Sequence, residues 1–212
     1  TIIEVGSSVV GIEVGMRVLV NPRITCMQCN QCVSNRSELC LNTSMVGSEI
    51  MGGYAERLAV PSTSVFPIPD SLGFAEAASL PTVFMPSWNI LVRTAQLQPW
   101  ETVLVPSASS GVGTAAVQVA RNISKATVIA TTSTKEKMDK ALDIGAHHVV
   151  NYREEDLETR IKEITDGEGV NVVIDHVGTE LWNSVNRSLS IGARYGICGV
   201  TSGYRAELQM GA

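Results

Sequence analysis

The sequence Thr102-Val-Leu-Val-Pro-Ser-Ala-Ser-Ser-Gly-Val-Gly-Thr-Ala-Ala-Val-Gln118 contains the most informative pattern in the chain. It predicts a buried strand from Thr102 to Val105, a loop of small residues over 107–113, and a helix from Val112 onward. The apolar residues of that helix recur with the spacing of one buried face: Val112, Ala116, Val119, Ala120 and Ile123. The first N–H groups of a helix have no intrahelical acceptor, and the helix dipole adds positive charge there. The usual occupant is a pyrophosphate, so the pattern predicts dinucleotide binding.

The loop departs from the G-x-G-x-x-G template of dinucleotide-binding proteins. Ala108, Ser110 and Gly113 occupy the three glycine positions, and Gly111 is an additional glycine. Alanine and serine are small enough for close backbone approach, although only glycine tolerates every backbone conformation. On the loop alone, a second interpretation stays open, in which the small residues only allow close helix–strand packing.

Length, composition and charge limit the classes of function. The 212 residues are enough for one large domain or two modest ones, with 44% hydrophobic and 17% charged residues, as in ordinary globular α/β proteins. The net charge of −5 gives no basic surface for nucleic acid, and no apolar run approaches the ~20 residues of a membrane span. We therefore expect neither nucleic acid nor membrane as a partner. Because the chain opens on Thr1 rather than Met, we expect it to have lost its natural start.

Four of the five cysteines follow the spacing Cys26-x2-Cys29-x2-Cys32-x7-Cys40. Four thiolates this close can surround one tetrahedral zinc ion, and such a closed site leaves no position for a substrate. The intervening residues are mostly polar and could not fold by burial, so the metal would have a structural role. Two disulfides or free thiols are the alternatives. We predict structural zinc, which favours a reducing compartment and a cytoplasmic location.

The remaining sequence predicts two kinds of architecture. Short apolar runs separated by glycine and proline over 1–22 and 46–69 indicate a small β-rich fold. Over 74–97 the pattern is helical, with Pro81 and Pro86 expected to interrupt a single long helix. After the loop, strands are predicted near 126–131, 149–150, 171–175 and 194–198, alternating with helices, the second of which would open on a capping box at Ser133-x-x-Glu136. This alternation predicts an α/β fold with a doubly wound parallel sheet of Rossmann type.

Together these motifs resemble the medium-chain dehydrogenase/reductase superfamily, which includes zinc-type alcohol dehydrogenases and quinone oxidoreductases. The resemblance rests on the four-cysteine lobe, Gly52-Gly-Tyr-Ala-Glu56, Ala108-Ser-Ser-Gly-Val-Gly-Thr-Ala115 and Val173-Ile-Asp-x-Val-Gly178. It implies a partial GroES-like catalytic domain over 1–84 and a Rossmann domain over 85–212 that lacks its last strand. It also implies an internal fragment without either terminus, from a parent that forms homo-oligomers.

The resemblance assigns metal and cofactor positions but no catalytic residues, which would lie largely in missing segments. It implies zinc ligation by Cys26, Cys29, Cys32 and Cys40. It implies cofactor binding by Ser110, Gly111, Val112, Thr132, Ser133, Lys137, Val177, Cys198 and Gly199. Thr132 stands where an acidic residue would hold the ribose of NAD, and nearby hydroxyl and lysine groups could accept a 2′-phosphate, so we expect NADP ahead of NAD. The alternative is that Ser133 is only an N-cap and that the lysines are only solvated.

The implied activity is NAD(P)-dependent hydride transfer involving an alcohol, aldehyde, ketone or quinone. Thr82 aligns with a cysteine ligand of the catalytic zinc, and a hydroxyl is a poor substitute, so a zinc-independent NADPH quinone or enone reductase is the alternative. A non-catalytic fragment that binds zinc and nucleotide is a third interpretation. His176, at the predicted end of the fourth strand of the βα series, has no metal partner at useful spacing, and contact with the cofactor is the less favoured of its two interpretations. Cys198 is interpreted as a small strand residue rather than a nucleophile.

Overall fold

A computed structural model of the protein describes residues 1–208, which divide between two compact units, 1–82 and 83–208. The strands are β1 Val18–Val20, β2 Arg23–Ile24, β3 Ser44–Met45, β4 Val65–Pro67, β5 Thr102–Val105, β6 Thr127–Thr132, β7 His148–Asn151, β8 Val170–Asp175 and β9 Leu189–Ile197. The α-helices are α1 Asn30–Val33, α2 Phe74–Ser79, α3 Met85–Trp88, α4 Gly111–Val119, α5 Lys135–Asp143, α6 Leu157–Ile164 and α7 Trp182–Arg187. Short 3₁₀ turns cover Ser37–Leu39 and Ser62–Ser64, and π-type turns cover Leu80–Phe84, Asn89–Thr94 and Ala120–Ser124.

The first unit is built from two small antiparallel pairs, β1 with β4 and β2 with β3. Arg17 stabilises the segment that follows β4, because its guanidinium donates to the carbonyl oxygens of Pro69 and Leu72 at 2.9 and 2.7 Å. The same guanidinium lies 4.5 Å from the centre of the Phe74 ring, a cation–π contact at the start of α2. Over residues 1–17 the structure has no strand, so this region is less regular than the apolar runs predict.

The second unit contains a five-stranded parallel sheet in the order β7-β6-β5-β8-β9. The chain moves outward from β5 to β7, then crosses back to β8 on the other side of β5. Each parallel step needs a crossover, and helices supply them. The predicted Rossmann-type α/β fold is confirmed, and the reversal of strand order beside β5 marks the edge where ligands bind in such sheets.

Alternating residues along the central strands bury both faces of the sheet. Val103 and Val105 belong to one core cluster, whereas Leu104, between them, belongs to the other. All three side chains are fully buried. Because helices cover both faces, the strand sequence is apolar throughout rather than alternating between apolar and polar residues, which is why the strand at 102 was predictable.

The expected break of the 74–97 helical region at its two prolines is wrong. The chain stays helical from Phe74 to Thr94 and changes its hydrogen-bond pattern instead. Pro81 lies within a π-type turn, and Pro86 is the second residue of α3, directly after that turn. The helical segment therefore accommodates its prolines by a local change from α-type to π-type hydrogen bonding.

The predicted capping box at Ser133 is also wrong by one residue. Thr134 is the N-cap of α5, and its hydroxyl accepts from the N–H of Lys137. Ser133 therefore does not cap α5. Among the described residues, no helix is both long and apolar enough to cross a membrane.

Candidate dinucleotide site and metal centre

The loop between β5 and α4 presents a helix N-terminus at the carboxyl edge of the sheet. Ser110 is the N-cap, and its Oγ accepts from the N–H of Gly113 at 2.9 Å. The N–H groups of Gly111 and Val112 are the first two of the helix and have no acceptor within it. The helix therefore begins at Gly111, one residue earlier than predicted, and offers two donors and the positive end of its dipole to an anion.

Thr131, at the end of β6, holds this loop in place. Its hydroxyl accepts from the N–H of Ser107 at 3.0 Å, and its carbonyl oxygen accepts from the N–H of Ala108 at 2.9 Å. Ser107 has a φ of 51°, the left-handed region that non-glycine residues seldom occupy. Two hydrogen bonds from a rigid strand thus stabilise a tight turn. Sequence reasoning missed Thr131, because nothing in its local spacing marks it.

The residues assigned to cofactor binding by resemblance lie together at one edge of the second unit. Thr132 ends β6, and Val177 follows the end of β8. Cys198 and Gly199 follow β9, and the N–H of Cys198 donates to the carbonyl oxygen of Asp175 at 2.9 Å. Since carboxyl ends of parallel strands share one edge, this grouping agrees with a dinucleotide lying across it.

Asp175 organises the turn after β8. Its carboxylate accepts from the N–H of Val177 at 2.7 Å and from the hydroxyl of Tyr195 at 2.8 Å. Burial, followed by the hydrogen bond to Asp175, raises the pKa of Tyr195 well above its usual range. Desolvation of its sulfur raises the pKa of Cys198, with a further contribution from the charge of Asp175, although the residue as a whole is exposed. That thiol remains protonated at neutral pH, as expected for a residue that is not a nucleophile.

His176, next along the chain, approaches the phosphate loop more closely than sequence reasoning indicated. Its Nε2 lies 2.6 Å from Ser110 Oγ, although 66 positions separate the two residues. Burial lowers the pKa of His176, and the charge of Asp175 acts in the opposite direction. The imidazole is therefore neutral at pH 7.

Three groups that would face the adenosine end differ in exposure. Thr132 is buried, with 1% of its surface exposed, and its carbonyl oxygen accepts from the N–H of Tyr152. Ser133 is half-buried and Lys137 is exposed, with Lys137 Nζ 3.5 Å from Ser133 Oγ. Ser133 and Lys137 thus form a small donor pair at the surface beside the end of β6, whereas Thr132 is buried.

Two buried polar atoms at this edge have no hydrogen-bond partner among the described residues: Thr132 Oγ1 and His176 Nδ1. An unsatisfied buried polar group costs about 1–3 kcal/mol, so such groups mark positions where a ligand or water completes the hydrogen bonding. Thr132 ends β6 and His176 directly follows β8, the two strands on either side of β5. Together with the free helix N–H groups, this donor and acceptor set fits a dinucleotide.

The four clustered cysteines form the metal centre of the first unit. Neighbouring sulfurs are 3.5 Å apart for Cys26 and Cys40, 3.6 Å for Cys29 and Cys32, and 3.8 Å for Cys29 and Cys40. All four sulfurs lie within 4.8 Å of one another. A tetrahedral zinc with Zn–S bonds of about 2.3 Å places its sulfurs about 3.8 Å apart, so the cluster fits one zinc ion.

Backbone N–H groups prepare part of this cluster for ionisation. The N–H groups of Cys32 and Leu41 have the largest effects on Cys29, and they lower the pKa of its thiol to about 6. Burial raises the pKa of Cys32 to about 12, and hydrogen bonding to Cys40 adds to the effect. Four thiolates cannot accumulate here without a cation, and a zinc ion supplies the compensating charge.

Within residues 1–208, no second group of three or more metal-ligating side chains occurs. Thr82 lies in the π-type turn Leu80–Phe84. The described chain thus contains a closed metal site of structural type, and no catalytic residue is assigned from it.

Known proteins share both halves of this arrangement. A profile of the alcohol dehydrogenase GroES-like domain matches residues 1–70, and a profile of zinc-binding dehydrogenases matches residues 111–211. A quinone oxidoreductase-like protein 2 homolog from Nematostella vectensis is 39% identical over 131 residues, which is 62% of this chain and 36% of that protein. An NAD-dependent alcohol dehydrogenase from Saccharolobus solfataricus is 35% identical over 209 residues, which is 97% of this chain and 60% of that protein.

Among solved structures, one described as an NAD-dependent alcohol dehydrogenase superposes with a TM-score of 0.93 at 34% identity, over 98% of this chain and 60% of that one. The chain therefore spans between 36% and 60% of the length of these relatives. Fold and site define a dinucleotide-binding sheet joined to a four-cysteine zinc lobe. The chain belongs to the zinc-type alcohol dehydrogenases and quinone oxidoreductases of the medium-chain dehydrogenase/reductase superfamily.

Proposed function

We propose that the protein is an NAD(P)-dependent oxidoreductase that transfers hydride between a nicotinamide and a small alcohol or carbonyl substrate. The observation that carries the proposal is the Ser110 loop, whose two free helix N–H groups lie at the switch point of the sheet beside two unpartnered buried polar atoms. The nicotinamide supplies the hydride chemistry when bound. The protein's contribution is to bind and orient the cofactor.

We infer that the cofactor is NADP ahead of NAD. Position 132 carries no carboxylate to hold the ribose hydroxyls, and Ser133 with Lys137 offers donors to a 2′-phosphate at the surface. Because Thr134 rather than Ser133 caps α5, the Ser133 hydroxyl is available to the 2′-phosphate, which supports this choice. The zinc bound by the four cysteines has a structural role. Because these thiols must stay reduced to bind zinc, we infer a cytoplasmic location.

A zinc-independent quinone or enone reductase is the second candidate. Thr82 favours it, because a hydroxyl is a weak substitute for a thiolate in a catalytic zinc site. The 39% identity with the quinone oxidoreductase-like homolog also favours it. The intact four-cysteine centre instead favours the alcohol dehydrogenase branch.

The test has two stages. NADPH and NADH are titrated into the chain, with binding followed by the change in nicotinamide fluorescence. A protein that contains this chain at the full length of its relatives is then assayed with alcohols, aldehydes, ketones and quinones, before and after removal of any zinc beyond one per chain.

Each result separates the candidates. Dinucleotide binding with chelator-sensitive alcohol oxidation supports an alcohol dehydrogenase, whereas chelator-resistant quinone reduction supports the second candidate. Binding without turnover on any substrate supports a non-catalytic protein. No binding of either dinucleotide would overturn the proposal.

A further inference from the structure

Two loops from different strands meet through Ser110 and His176, the hydrogen-bonded pair 2.6 Å apart. Ser110 Oγ already accepts from the N–H of Gly113. With one donor already directed at that oxygen, the serine's own proton is available to a neutral imidazole. In the tautomer that carries its proton on Nδ1, His176 Nε2 accepts from this hydroxyl.

The surroundings of His176 hold the ring firmly. Only 7% of the residue is exposed. Its carbonyl oxygen accepts from the hydroxyl of Thr201 at 3.1 Å, and a Cβ at Gly199 would lie 3.2 Å from the His176 Cβ. The nearby ionisable groups are Asp175, Tyr195 and Cys198, of which the first two are hydrogen-bonded to each other. Burial and these contacts to its backbone and Cβ leave His176 little freedom to move away from Ser110.

The second nitrogen gives an independent indication of a ligand. His176 Nδ1 is buried and has no hydrogen-bond partner among the described residues. In the tautomer that accepts from Ser110, this nitrogen is a donor. A buried donor of this kind is completed by the oxygen of an ordered water or of a ligand.

We propose that His176 is a positioning residue of the dinucleotide site, which holds the Ser110 hydroxyl in its capping geometry and so keeps the first N–H groups of α4 directed at the pyrophosphate. This inference rests on the proposed function. It assigns a role in cofactor binding to a residue for which sequence reasoning gave a structural interpretation ahead of a functional one.

The test compares dissociation constants for NADPH in three variants of His176, measured on the chain by nicotinamide fluorescence. His176→Ala removes both nitrogens and is expected to weaken binding about tenfold. His176→Gln places an amide near the position of Nε2 and is expected to restore most of that loss. His176→Asn places an amide near the position of Nδ1 and is expected to restore little. His148→Ala, at the exposed start of β7, is the control and should bind as the unaltered protein does.

Two further measurements separate positioning from general loss of structure. Ser110→Ala combined with His176→Ala should weaken binding no more than either change alone, because the histidine acts through the serine. Binding of 2′,5′-ADP, which has no pyrophosphate, should change less than twofold in His176→Ala.

Several outcomes would overturn the inference. Unchanged NADPH binding by His176→Ala, additive losses in the double variant, or rescue by Asn but not by Gln would each do so. Failure of the unaltered protein to bind any dinucleotide would overturn the proposed function as well. The two failures are therefore distinguishable.

Discussion

Gly113 lies against the backbone of Ser107 so closely that a Cβ at position 113 would be 2.4 Å from the Ser107 carbonyl oxygen and 2.7 Å from the Ala108 Cα. This contact sets the separation between the helix and the turn that precedes it. It places the third glycine of the dinucleotide template where close helix–strand packing requires one.

Replacement of Gly113 by alanine should therefore displace the loop. We expect Gly113→Ala to lower the free energy of unfolding by about 2 kcal/mol, as other overpacked sites do, and to weaken NADPH binding at least tenfold. Urea unfolding and fluorescence titration measure the two effects. Gly6→Ala, where the nearest atom would lie 3.8 Å away, is the control. Equal behaviour of the two variants would contradict the packing argument.

Lys137 decides between the two nicotinamide cofactors if the surface donor pair accepts the 2′-phosphate. Lys137→Ala should raise the dissociation constant for NADPH about tenfold and leave that for NADH within about twofold, because only NADPH carries the phosphate. Lys125→Ala removes the same charge before β6, at the other edge of the sheet, and should affect neither. Equal losses for both cofactors would show that Lys137 does not read the 2′-phosphate.

The metal centre gives a prediction independent of the cofactor. The chain should contain about one zinc per molecule by elemental analysis, and Cys40→Ser, which removes a buried ligand, should lower that to well below half. Hydrogen exchange should then accelerate over residues 26–40 but not in the five-stranded sheet, which belongs to the other unit. Cys198→Ser should keep its zinc. A mass lower by about 4 Da with no zinc would instead indicate two disulfides.

The sequence predicts the parallel sheet well for a physical reason. Strands buried on both faces are short apolar runs, and the loop after β5 combines such a run with small residues and a helix. The order of the elements and the four-cysteine spacing follow from local patterns of this kind. Helix starts are harder to place, because Ser133 and Thr134 are both good N-caps and only backbone geometry selects Thr134.

The site is less predictable, because its hydrogen bonds join residues distant in sequence. Thr131 supports Ser107 across 24 positions, and Tyr195 donates to Asp175 across 20. Periodicity reports burial of a side chain but not the partner that it meets. For the same reason, the burial of Thr132 appears only in the structure.

The ion pair between Glu101 and Arg194 links the turn before β5 to β9. The guanidinium donates to both carboxylate oxygens, at 2.8 and 2.5 Å, and its Nε donates to the carbonyl oxygen of Ala95. The carboxylate side chain is 11% exposed and the guanidinium 38%. Hydrogen bonding to Arg194 is the largest influence that lowers the pKa of Glu101, and burial opposes it.

Loss of the guanidinium leaves a mostly buried carboxylate without its partner. We expect Arg194→Met to lower the free energy of unfolding by about 2 kcal/mol at pH 7, less than for a fully buried pair because Arg194 is partly exposed. Arg187→Met, which removes an exposed guanidinium 3.9 Å from Glu158, should change it by less than about 0.5 kcal/mol.

The loss caused by Arg194→Met should depend on pH in one direction. Because the folded pKa of Glu101 lies below the ordinary value of 4.5, its stabilising contribution is complete above that value and declines as the pH falls through the folded pKa. In Arg194→Met, the N–H of Gln98 still donates to the carboxylate, but burial has the larger effect and favours protonation. The difference in unfolding free energy between the two proteins should therefore shrink as the pH falls from the raised pKa of the variant carboxyl group, above 4.5, to the lowered pKa of Glu101 in the unaltered protein. Urea unfolding from pH 3.5 to 7 measures this difference, and a constant difference over that range would show that Arg194 stabilises the fold by packing rather than by charge.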